Sequence, residues 1–383
     1  MHKQYDYIIA GTGCAGLSLA VMLKQSKLSF NKVLLIDKDL KNKNDRTWCF
    51  WTNKSSNWFD DIVFRKWNDI YFKDKSFEKK INIGTYNYMM IKGIDFYNYC
   101  LNELKNDARF EFVTDTIYSL SSENGLGKLN TATNNYYSKY IFNSAIQTLQ
   151  KKQNHINYVQ HFKGWTITTP ENAFDITCPT FMDFRVNQYN DCRFFYVIPF
   201  TKNTALIEYT GFSKNRLPTD EYDNELRSYI NNTLNVKNYI IDDSEFGEIP
   251  MVESSFVNPF GSNIINIGTS GGFSKPSTGY TFYFIQKNIQ KIILKLEKGI
   301  SIKSNSPRKK RFQNYDKVFM EVMDAKKIES REIFATLFKK NSAEELLNFL
   351  NEESNLLEEL KIMNSVPKKH FITAFMKKMI FGK

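Results

Sequence analysis

The hydrophobic pattern is most regular over the first forty residues. Residues 5–10 form a short apolar run that predicts a buried strand, and residues 17–23 have the apolar spacing of a helix. Residues 33–36 predict a second buried strand, which ends on Asp37. A strand, a helix and a second strand in this order, with a glycine-rich turn at residues 11–16, predict a βαβ unit of the dinucleotide-binding type.

Shorter apolar runs continue the pattern along the chain. Residues 95–104 have helical spacing, and glycine and asparagine between residues 124 and 137 indicate a hairpin. Residues 157–249 differ, because short alternating strands dominate there and a helix follows from residue 220 to about residue 234. The predicted strands beyond the first forty residues are 70–72, 86–91, 110–113, 140–143, 165–168, 181–186, 193–198, 204–209 and 263–268.

These elements predict an α/β fold with two closely packed domains and a helical C-terminus. The first domain is discontinuous, because the parallel-strand pattern returns near residue 263 after the antiparallel region. The second domain is an antiparallel sheet set against the first. The predicted ranges are 1–60, 95–156 and 250–305 for the nucleotide-binding domain, 61–94 and 157–249 for the substrate domain, and 306–383 for the helical region.

The first glycine-rich turn carries the chemistry of the βαβ unit. Gly11 permits the tight turn, Gly13 lets the backbone approach a pyrophosphate, and Gly16 lets the helix pack closely on the strand. The helix N-terminus, where Cys14 and Ala15 stand, offers free N–H groups and a partial positive charge to phosphates. We therefore expect this turn to hold the pyrophosphate of a dinucleotide.

Asp37 follows the last glycine by about twenty residues, where it is placed to accept hydrogen bonds from ribose hydroxyls. A carboxylate at this position disfavours a 2′-phosphorylated ribose, so FAD or NAD is the expected ligand. A unit of this shape that binds nothing is the alternative, and the complete order of strand, turn, helix, strand and acid weighs against it.

A second glycine-rich segment, residues 268–280, follows a predicted buried strand and precedes a predicted helix. Closely spaced glycines let the backbone approach a flat cofactor, and a helix start at residues 278–280 can hold an anionic group. A plain glycine-rich turn is the alternative, but beside the first motif we expect cofactor contacts. The expected contacts are Gly268, Gly271, Gly272, Pro276, Thr278, Gly279 and Tyr280.

Composition narrows the classes of partner. The net charge of +11 comes from lysines scattered along the whole chain, and 15% of the residues are aromatic. A nucleic-acid surface is not expected, because no helix-turn-helix, zinc-finger or RNP-like pattern accompanies the charge. A general richness in lysine and asparagine explains the charge simply, and affinity for an anionic membrane surface fits both the charge and the aromatic residues.

Cysteine and histidine usage narrows the site chemistry. The five cysteines form no CxxC pair, and the four histidines have no metal-ligand spacing, so we expect no metal site. Scattered single cysteines are typical of a reducing compartment. No signal peptide and no apolar run of about eighteen residues is found, so we expect a cytoplasmic protein or one bound to a membrane face.

Six segments resemble signatures of one family, the bacterial flavin-dependent lycopene β-cyclases. Residues 45–51 read DRTWCFW, residues 160–165 read QHFKGW, and residues 179–184 read PTFMDF. The acidic segment LIEYT at residues 206–210 is similar to an acidic motif of the family. Residues 247–251 and 268–280 complete the series, so the resemblance spans nearly the whole chain.

The resemblance implies a Rossmann-like FAD-binding domain of the glutathione-reductase and hydroxylase type. It implies redox-neutral cyclisation of lycopene through γ-carotene to β-carotene by an intramolecular lyase, with reduced FAD as cofactor and NAD(P)H as reductant. Glu208 is the acid of the family motif, and Arg46 and Thr47 would lie near the flavin half of FAD. The aromatic residues expected in the substrate pocket are Trp48, Trp51, Phe195 and Tyr196.

Other interpretations stay open at this point. A strand that alternates Leu206, Ile207 and Glu208 is also compatible with an outward-facing glutamate. Residues 371–381 are equally compatible with an interfacial helix and with a helix packed on the body. The alternative functions are an FAD-dependent isoprenoid reductase and a non-catalytic, membrane-associated protein that binds flavin or carotenoid.

Overall fold

The computed structural model describes residues 3–145, 157–252, 258–302 and 308–381. The strands in these residues are β1 (Lys3–Ala10), β2 (Val33–Asp37), β3 (Thr47–Thr52), β4 (Arg65–Trp67), β5 (Asp69–Asp74), β6 (Phe77–Asn82), β7 (Asn87–Lys92), β8 (Phe110–Thr114), β9 (Ile117–Glu123), β10 (Leu126–Thr131), β11 (Asn135–Asn143), β12 (Asn157–Thr168), β13 (Thr180–Asp183), β14 (Cys192–Pro199), β15 (Thr204–Ser213), β16 (Ile240–Val252) and β17 (Ile264–Asn266). The helices are α1 (Cys14–Gln25), α2 (Gly93–Leu104), α3 (Thr219–Ser228), α4 (Phe282–Glu297), α5 (Lys310–Asp324), α6 (Ser330–Lys340), α7 (Ala343–Leu350), α8 (Leu356–Ser365) and α9 (Lys368–Phe381).

The first sheet contains the predicted βαβ unit. Its strand order is β8-β2-β1-β11-β10-β9, and β17 pairs with the end of β11. The core strands run parallel, while β9, β10 and β11 form an antiparallel meander at one edge. Ile8 packs towards the meander and Ile9 packs towards α1 and α4, so both faces of β1 are buried. Burial on both faces explains the uninterrupted apolar run of this strand.

The second sheet is the predicted antiparallel sheet, with the order β16-β12-β15-β14-β13-β5-β6. Its neighbours are antiparallel except β13 and β5, which run parallel. Tyr196 and Leu206 face one core cluster, which also contains residues of the C-terminal helices. Phe195 and Ile207 face the other cluster, which is covered by α3. The period-two alternation of the strands therefore divides this sheet into two different environments.

A small third sheet connects the regions that the sequence assigns to different domains. Its order is β3-β7-β4, with antiparallel pairs. β3 belongs to the predicted nucleotide-binding domain and β7 to the predicted substrate domain, so backbone hydrogen bonds cross that boundary. The division into domains stays a prediction, and its boundaries at residues 156 and 305 lie outside the described residues.

Several predicted element ends differ from the structure. The helix expected to reach residue 234 is α-helical only to Ser228 and continues as a π-helical turn, Tyr229–Thr233. The strand expected at residues 181–186 ends at Asp183, because the carboxylate of Asp183 accepts hydrogen bonds from the backbone and side chain of Arg185. The helix expected to start at residues 278–280 starts at Phe282, because Gly279 has a left-handed φ of 72°.

The described part of the C-terminal region is helical, as predicted. α9 packs on α5, with Ala374 and Val322 in a shared cluster, while Phe375 and Met376 remain exposed. Within the four described ranges, no helix has both the length and the apolar character needed to cross a bilayer.

A buried ion cluster ties the second glycine-rich segment to the C-terminal helices. The Nζ atom of Lys275 lies 3.0 Å from Oδ1 of Asp316 and 3.4 Å from Oε1 of Glu352. Arg308 binds the same two carboxylates. All four side chains are nearly inaccessible, and their charges compensate one another.

Candidate functional site

The first glycine-rich turn has the geometry that its sequence predicts. Gly11 has a φ of 98°, which favours glycine, and its N–H donates to the carbonyl of Ile36 at 2.8 Å. A Cβ at Gly16 would lie 2.0 Å from the carbonyl oxygen of Gly11. The turn therefore passes between β1 and α1 with no room for a side chain at Gly16.

The N-terminus of α1 has space for a ligand. Gly13 is the N-cap of α1, and a Cβ there would contact no heavy atom of the described residues within 4 Å. In the described chain no side chain caps these N–H groups, so they are free to bind an anion. Cys14 and Ala15 are buried in the first turn, and burial raises the pKa of the Cys14 thiol. An unreactive thiol fits a packing role beside the turn.

Asp37 lies at the end of β2, directly beside this turn. Its Oδ2 accepts hydrogen bonds from the backbone N–H of Thr12 at 2.7 Å and from the Thr12 hydroxyl at 3.1 Å. Oδ1 accepts from the N–H of Asp39 at 3.1 Å. These bonds orient the carboxylate and fix the turn, and its side chain remains 16% exposed. The ribose contact of Asp37 stays a prediction.

The second glycine-rich segment lies against the first. Gly268 begins a 3-10 turn, Gly268–Gly271, and a Cβ on Gly268 would lie 2.8 Å from the Cβ of Ala15. Gly272 closes the turn in the left-handed conformation with a φ of 74°. A second turn follows around Pro276, closed by a 2.8 Å hydrogen bond from the Gly279 N–H to the Lys275 carbonyl.

Two buried hydroxyl groups in this segment are not hydrogen-bonded to any described residue. Oγ of Ser270 and Oγ1 of Thr278 are buried, and neither has a hydrogen-bond partner among the described residues. Buried hydroxyls are normally hydrogen-bonded, so these two indicate a polar ligand. Together with the space at Gly13, they fit an extended dinucleotide cofactor that runs from the first turn to the second.

A cavity of about 290 Å³ opens between the second sheet and this segment. Its wall is mixed, because aromatic and aliphatic side chains stand beside threonines and the charged residues Arg46, Glu208 and Glu248. The structure brings together here eight residues singled out from the sequence, namely Arg46, Thr47, Trp48, Tyr196, Glu208, Thr278, Gly279 and Tyr280. Cys49, Gln160, Phe162 and Leu206, which stand in the motif segments but had no predicted site role, also line the cavity, together with Tyr88 and Phe282.

Two of the aromatic residues expected in the pocket lie elsewhere. Phe195 is on the opposite face of the sheet, where its ring stacks on Tyr229 at 3.9 Å and on Tyr209 at 4.8 Å. Phe195 and Tyr196 are consecutive in β14, so they cannot both face the cavity. Trp51 lies behind Tyr280, at 4.4 Å between ring centroids, and its indole N–H donates to the Leu347 carbonyl at 3.2 Å.

Glu208 faces the cavity from β15. Along one row of the second sheet, Glu245 pairs with Gly164, Gly164 with Glu208, and Glu208 with Tyr196. Directly paired residues share a face of the sheet, so all four point to the cavity side. Gly164 has no side chain, and a Cβ there would lie 3.5 Å from Cβ of Glu208 and 3.3 Å from Cγ of Glu245. The glycine leaves the space in which the two carboxyl groups approach each other.

The ionisation of each of these two carboxyl groups affects the pKa of the other. Burial first and the charge of Glu245 second raise the pKa of Glu208 well above its usual range, although its Oε1 accepts a 2.9 Å hydrogen bond from Thr210. Burial raises the pKa of Glu245 to about 7, against the lowering effects of Thr47, Glu208 and Arg46. The Thr47 hydroxyl donates to Oε2 of Glu245 at 2.8 Å. At neutral pH the pair therefore keeps a proton on Glu208.

Aromatic side chains line the same cavity as Glu208. The hydroxyl oxygens of Tyr196 and Tyr280 are 3.2 Å apart, and Phe181 stacks parallel to Tyr280 at 6.2 Å. Burial first, and the Tyr280 hydroxyl second, raise the pKa of Tyr196. Burial first, and the Tyr88 hydroxyl second, raise the pKa of Tyr280, although its hydrogen bond with Tyr196 lowers it. Both tyrosines are therefore neutral at neutral pH, and neutral aromatic rings beside the cavity are compatible with a positive charge there.

Sequence reasoning missed Glu245, the partner of Glu208. Glu245 lies on β16, 37 positions further along the chain, and only the register of three strands brings the two residues together. The signal in the sequence is Gly164, since a glycine inside an otherwise regular strand often marks a close approach. That signal predicts crowding above Gly164 but does not name the second residue.

Solved flavoprotein structures share this fold over its length. A geranylgeranyl bacteriochlorophyll reductase-like protein from Thermoplasma acidophilum matches with a TM-score of 0.66 at 12% identity, over 97% of this chain and 99% of that one. A flavoprotein/dehydrogenase from Cytophaga hutchinsonii gives 0.65 at 10% identity, over 98% and 100%. The halogenase PltM in complex with phloroglucinol and FAD gives 0.57 at 11% identity, over 99% and 93%. The predicted fold class, that of α/β flavoproteins, is confirmed.

The family follows from the sequence comparison. The family described as lycopene cyclase protein matches residues 6–376, and the chain belongs to this family. A lycopene beta-cyclase from Pantoea ananas is 25% identical over 222 residues, which are 56% of this chain and 54% of that protein. The match thus spans about half the length of that relative. The resemblance drawn from the sequence motifs is confirmed at the level of the family.

Proposed function

We propose that this protein is a lycopene β-cyclase, an intramolecular lyase that closes β-ionone rings at the ends of lycopene. γ-Carotene would be the intermediate and β-carotene the final product. The observation that carries the proposal is Glu208, a carboxyl whose pKa is strongly raised and which faces an aromatic cavity beside the second glycine-rich segment. Membership of the lycopene cyclase family supplies the substrate class.

The residues fit FAD as the cofactor. The N–H groups at Gly13 and the start of α1 would hold the pyrophosphate, and Asp37 the ribose. The buried hydroxyls of Ser270 and Thr278 would bind polar atoms of the flavin half. Reduced flavin would supply negative charge beside the cavity, which stabilises a carbocation in a reaction without net electron transfer, and NAD(P)H would be the reductant.

Glu208 would perform the proton transfers. Its neutral carboxyl donates a proton to the terminal double bond of lycopene and becomes a carboxylate. A neighbouring double bond then attacks the cation and forms a new carbon–carbon bond. Glu208 takes back a proton from the ring carbon beside the cation, which leaves the β-ring double bond and restores the acid. One proton enters and one leaves, so substrate and product have the same mass.

The aromatic wall would stabilise the cationic intermediate. Trp48, Tyr196 and Tyr280 line the cavity around Glu208. A cation over an aromatic face gains about 0.5–2 kcal/mol per ring, more when water is excluded. Ile198 and Leu206 add aliphatic surface to this wall, which fits a hydrocarbon end group.

Membrane contact through α8 and α9 is part of the proposal, because lycopene resides in the bilayer. Leu357 of α8 is 79% exposed, and Ile372, Phe375 and Met376 of α9 are each more than half exposed. Exposed lysines flank these side chains, namely Lys361, Lys368, Lys369 and Lys377. Large apolar residues beside lysines favour the headgroup region of an anionic bilayer.

The test uses purified protein, lycopene in liposomes and FAD under anaerobic conditions, with and without NAD(P)H. Pigments are analysed by mass and by retention on a chromatography column. We expect γ-carotene and then β-carotene, with lycopene's mass and a new retention, and only catalytic amounts of reductant consumed.

A product two mass units heavier, with reductant consumed in proportion, would instead assign an isoprenoid reductase. Pigment that binds with unchanged mass and retention would assign a non-catalytic carrier. Either result, obtained with reduced FAD bound, contradicts the cyclase proposal.

A further inference from the structure

We propose that Glu245 is a positioning residue that shares a proton with Glu208 across Gly164 and so keeps Glu208 in its acid form. This inference rests on the proposed function for the role of Glu208, but the shared proton is a property of the protein alone. Glu245 is not part of the cavity wall, so it acts through Glu208 and not on the substrate.

The backbone places both carboxyl groups. β12 lies between β15 and β16, and Gly164 pairs with Glu208 on one side and with Glu245 on the other. Neighbouring strands are about 4.8 Å apart, so the two glutamate backbones are separated by roughly twice that distance. Two glutamate side chains that lean over a glycine can bridge this separation, whereas any side chain at Gly164 would stand between them.

Two of the four carboxyl oxygens of the pair accept a hydrogen bond from a threonine hydroxyl. Oε1 of Glu208 accepts from Thr210, and Oε2 of Glu245 accepts from Thr47. Oε1 of Glu245 is buried and has no hydrogen-bond partner among N–H and hydroxyl groups of the described residues. A protonated Glu208 is the donor that this oxygen lacks, because a carboxylic acid facing a carboxylate forms a strong charge-assisted hydrogen bond.

The ionisation order of the pair follows from its surroundings. The lowering effects of Thr47, of the Glu208 hydrogen bond and of Arg46 act on Glu245, so Glu245 ionises first and its pKa is about 7. Glu208 then ionises at a higher pH, because its loss of a proton would place two carboxylates side by side. Among the described residues, the other titratable groups that act on the pair or line the cavity beside it are Arg46, Cys49, Tyr88, Tyr196, Asp243, Glu248 and Tyr280.

The pair would serve both halves of the reaction. Before catalysis, the charge of Glu245 keeps the proton on Glu208. After Glu208 has donated that proton, two carboxylates face each other in a poorly solvated site. Their repulsion makes Glu208 a stronger base, so it removes the proton from the ring carbon and the pair returns to its starting state.

The first test follows the protonated carboxyl directly by infrared spectroscopy. In the purified protein at pH 8 we expect a C=O stretching band of a neutral carboxyl, which Glu208→Gln abolishes. Glu245→Gln removes the charge that holds the proton, and its amide can donate to a Glu208 carboxylate. The band should therefore titrate away at a pH about one unit or more below that of the wild type.

A matched control separates the pair from general charge effects. Asp242→Asn also removes one carboxylate from β16, but Asp242 is exposed and binds Thr168 outside the cavity. We expect Asp242→Asn to leave the band and its titration unchanged. Gly164→Ala inserts a methyl group between the carboxyls, so it should move the titration in the same direction as Glu245→Gln. If Glu245→Gln does not fold, Gly164→Ala and Glu245→Asp provide the same measurement.

The second test is the pH profile of cyclisation. The acid form of Glu208 is required, so activity falls as the pH rises through its pKa. Glu245→Gln should move this alkaline limb to lower pH and leave KM unchanged. Above the limb, activity should be about tenfold lower for each pH unit by which the limb has moved. Asp242→Asn should retain the wild-type profile.

The outcomes are distinct. A wild-type infrared titration in both Glu245→Gln and Gly164→Ala would overturn the shared proton. If the wild type cyclises no lycopene, but Glu245→Gln and Gly164→Ala shift the infrared titration as expected, the proposed function fails and the carboxyl pair stands. If cyclisation occurs and Glu245→Gln has the wild-type pH profile, the positioning role of Glu245 is wrong.

Discussion

Glu208 is an ordinary glutamate whose chemistry is set by the atoms around it. Burial, a second carboxyl and an aromatic wall all oppose its ionisation. The same residue on the other face of β15 would lie among Phe195, Tyr209 and the residues of α3, away from the cavity. At the scale of one residue, the proposed function depends on whether the side chain points to the cavity face or to the α3 face of the second sheet.

We expect Glu208→Gln to reduce the initial rate of cyclisation about 10²–10⁴-fold, because an amide cannot donate the proton. FAD binding should be unchanged, since Glu208 lies on the sheet side of the cavity. The rate is measured with lycopene liposomes and FAD binding by flavin absorbance, with Asp242→Asn as control. A Glu208→Gln protein with full activity would show that another group supplies the proton.

His161 makes the stability of the protein sensitive to acid. Burial and the charge of Arg193 lower the pKa of His161 to about 4, while Tyr222 and Ser213 bind its two ring nitrogens at 2.7 and 2.9 Å. In the unfolded chain His161 binds a proton with a pKa of about 6.5, whereas in the folded protein its pKa is about 4. The contribution of neutral His161 to stability is therefore complete above pH 6.5 and is lost as the pH falls towards 4.

We therefore expect the free energy of unfolding to fall by up to about 3 kcal/mol between pH 6.5 and 4 through His161. Urea denaturation across this range measures it. His161→Gln should be less stable at pH 7.5, because its polar contacts are lost, and should show a smaller decrease on acidification. An equal decrease in both proteins would contradict the assignment.

The alternation of side chains along a strand determines which of two neighbouring aromatic residues lies in the core and which lines the cavity. Phe195 stacks on Tyr229 and Tyr209 in the core beneath α3, whereas Tyr196 faces the cavity and contacts Tyr280. We expect Phe195→Ala to destabilise the fold by about 3–5 kcal/mol, because it leaves a void in a packed core. Cyclisation per folded molecule should remain near that of the wild type.

Tyr196→Ala is the comparison for Phe195→Ala. It enlarges the cavity and removes one face from the cation, so cyclisation per folded molecule should fall. Urea denaturation and the liposome assay on the same preparations give both quantities. A large loss of specific activity in Phe195→Ala would indicate that the two faces of the sheet are not independent.

Elements and local motifs could be predicted from the sequence because they depend on local periodicity. The run of residues 5–10, the glycines that follow and Asp37 lie close together in the chain, and their geometry is fixed by the turn itself. The pairing of Glu208 with Glu245 depends on the register of three strands joined by long connections, which no local pattern encodes. Phe195 and Tyr196 are consecutive in β14 and therefore point to opposite faces, so only Tyr196 lines the cavity and the predicted pocket position of Phe195 is wrong.

At the scale of the whole molecule, the C-terminal region has an inner side that forms buried ion pairs and an outer side that exposes apolar residues. Asp316 of α5 and Glu352, in the connection between α7 and α8, form ion pairs with Lys275 of the second glycine-rich segment. The outer side exposes Leu357 and Phe375. The region that would touch the membrane is therefore attached to the segment that borders the cavity.

We expect the protein to bind vesicles that contain anionic lipid, and binding to weaken as salt rises, because each lysine near the surface contributes about 1 kcal/mol. Leu357→Asp combined with Phe375→Asp should reduce binding, measured by co-sedimentation, without loss of the fold. Tyr118→Asp alters a similarly exposed side chain, 66% accessible, on β9 and should bind as the wild type does. Equal binding of all three proteins would place membrane contact elsewhere.

Because Gly164 pairs with both glutamates, their arrangement is already present in the folded protein before a ligand binds. The separation of the two glutamates is set by the backbone hydrogen bonds of β12 with its neighbours, which exist before any ligand arrives. No loop has to close and no side chain has to move into place to keep Glu208 protonated. The electrostatic cost of burying the Glu245 carboxylate beside the neutral acid is met once, during folding, and is not repeated in each turnover.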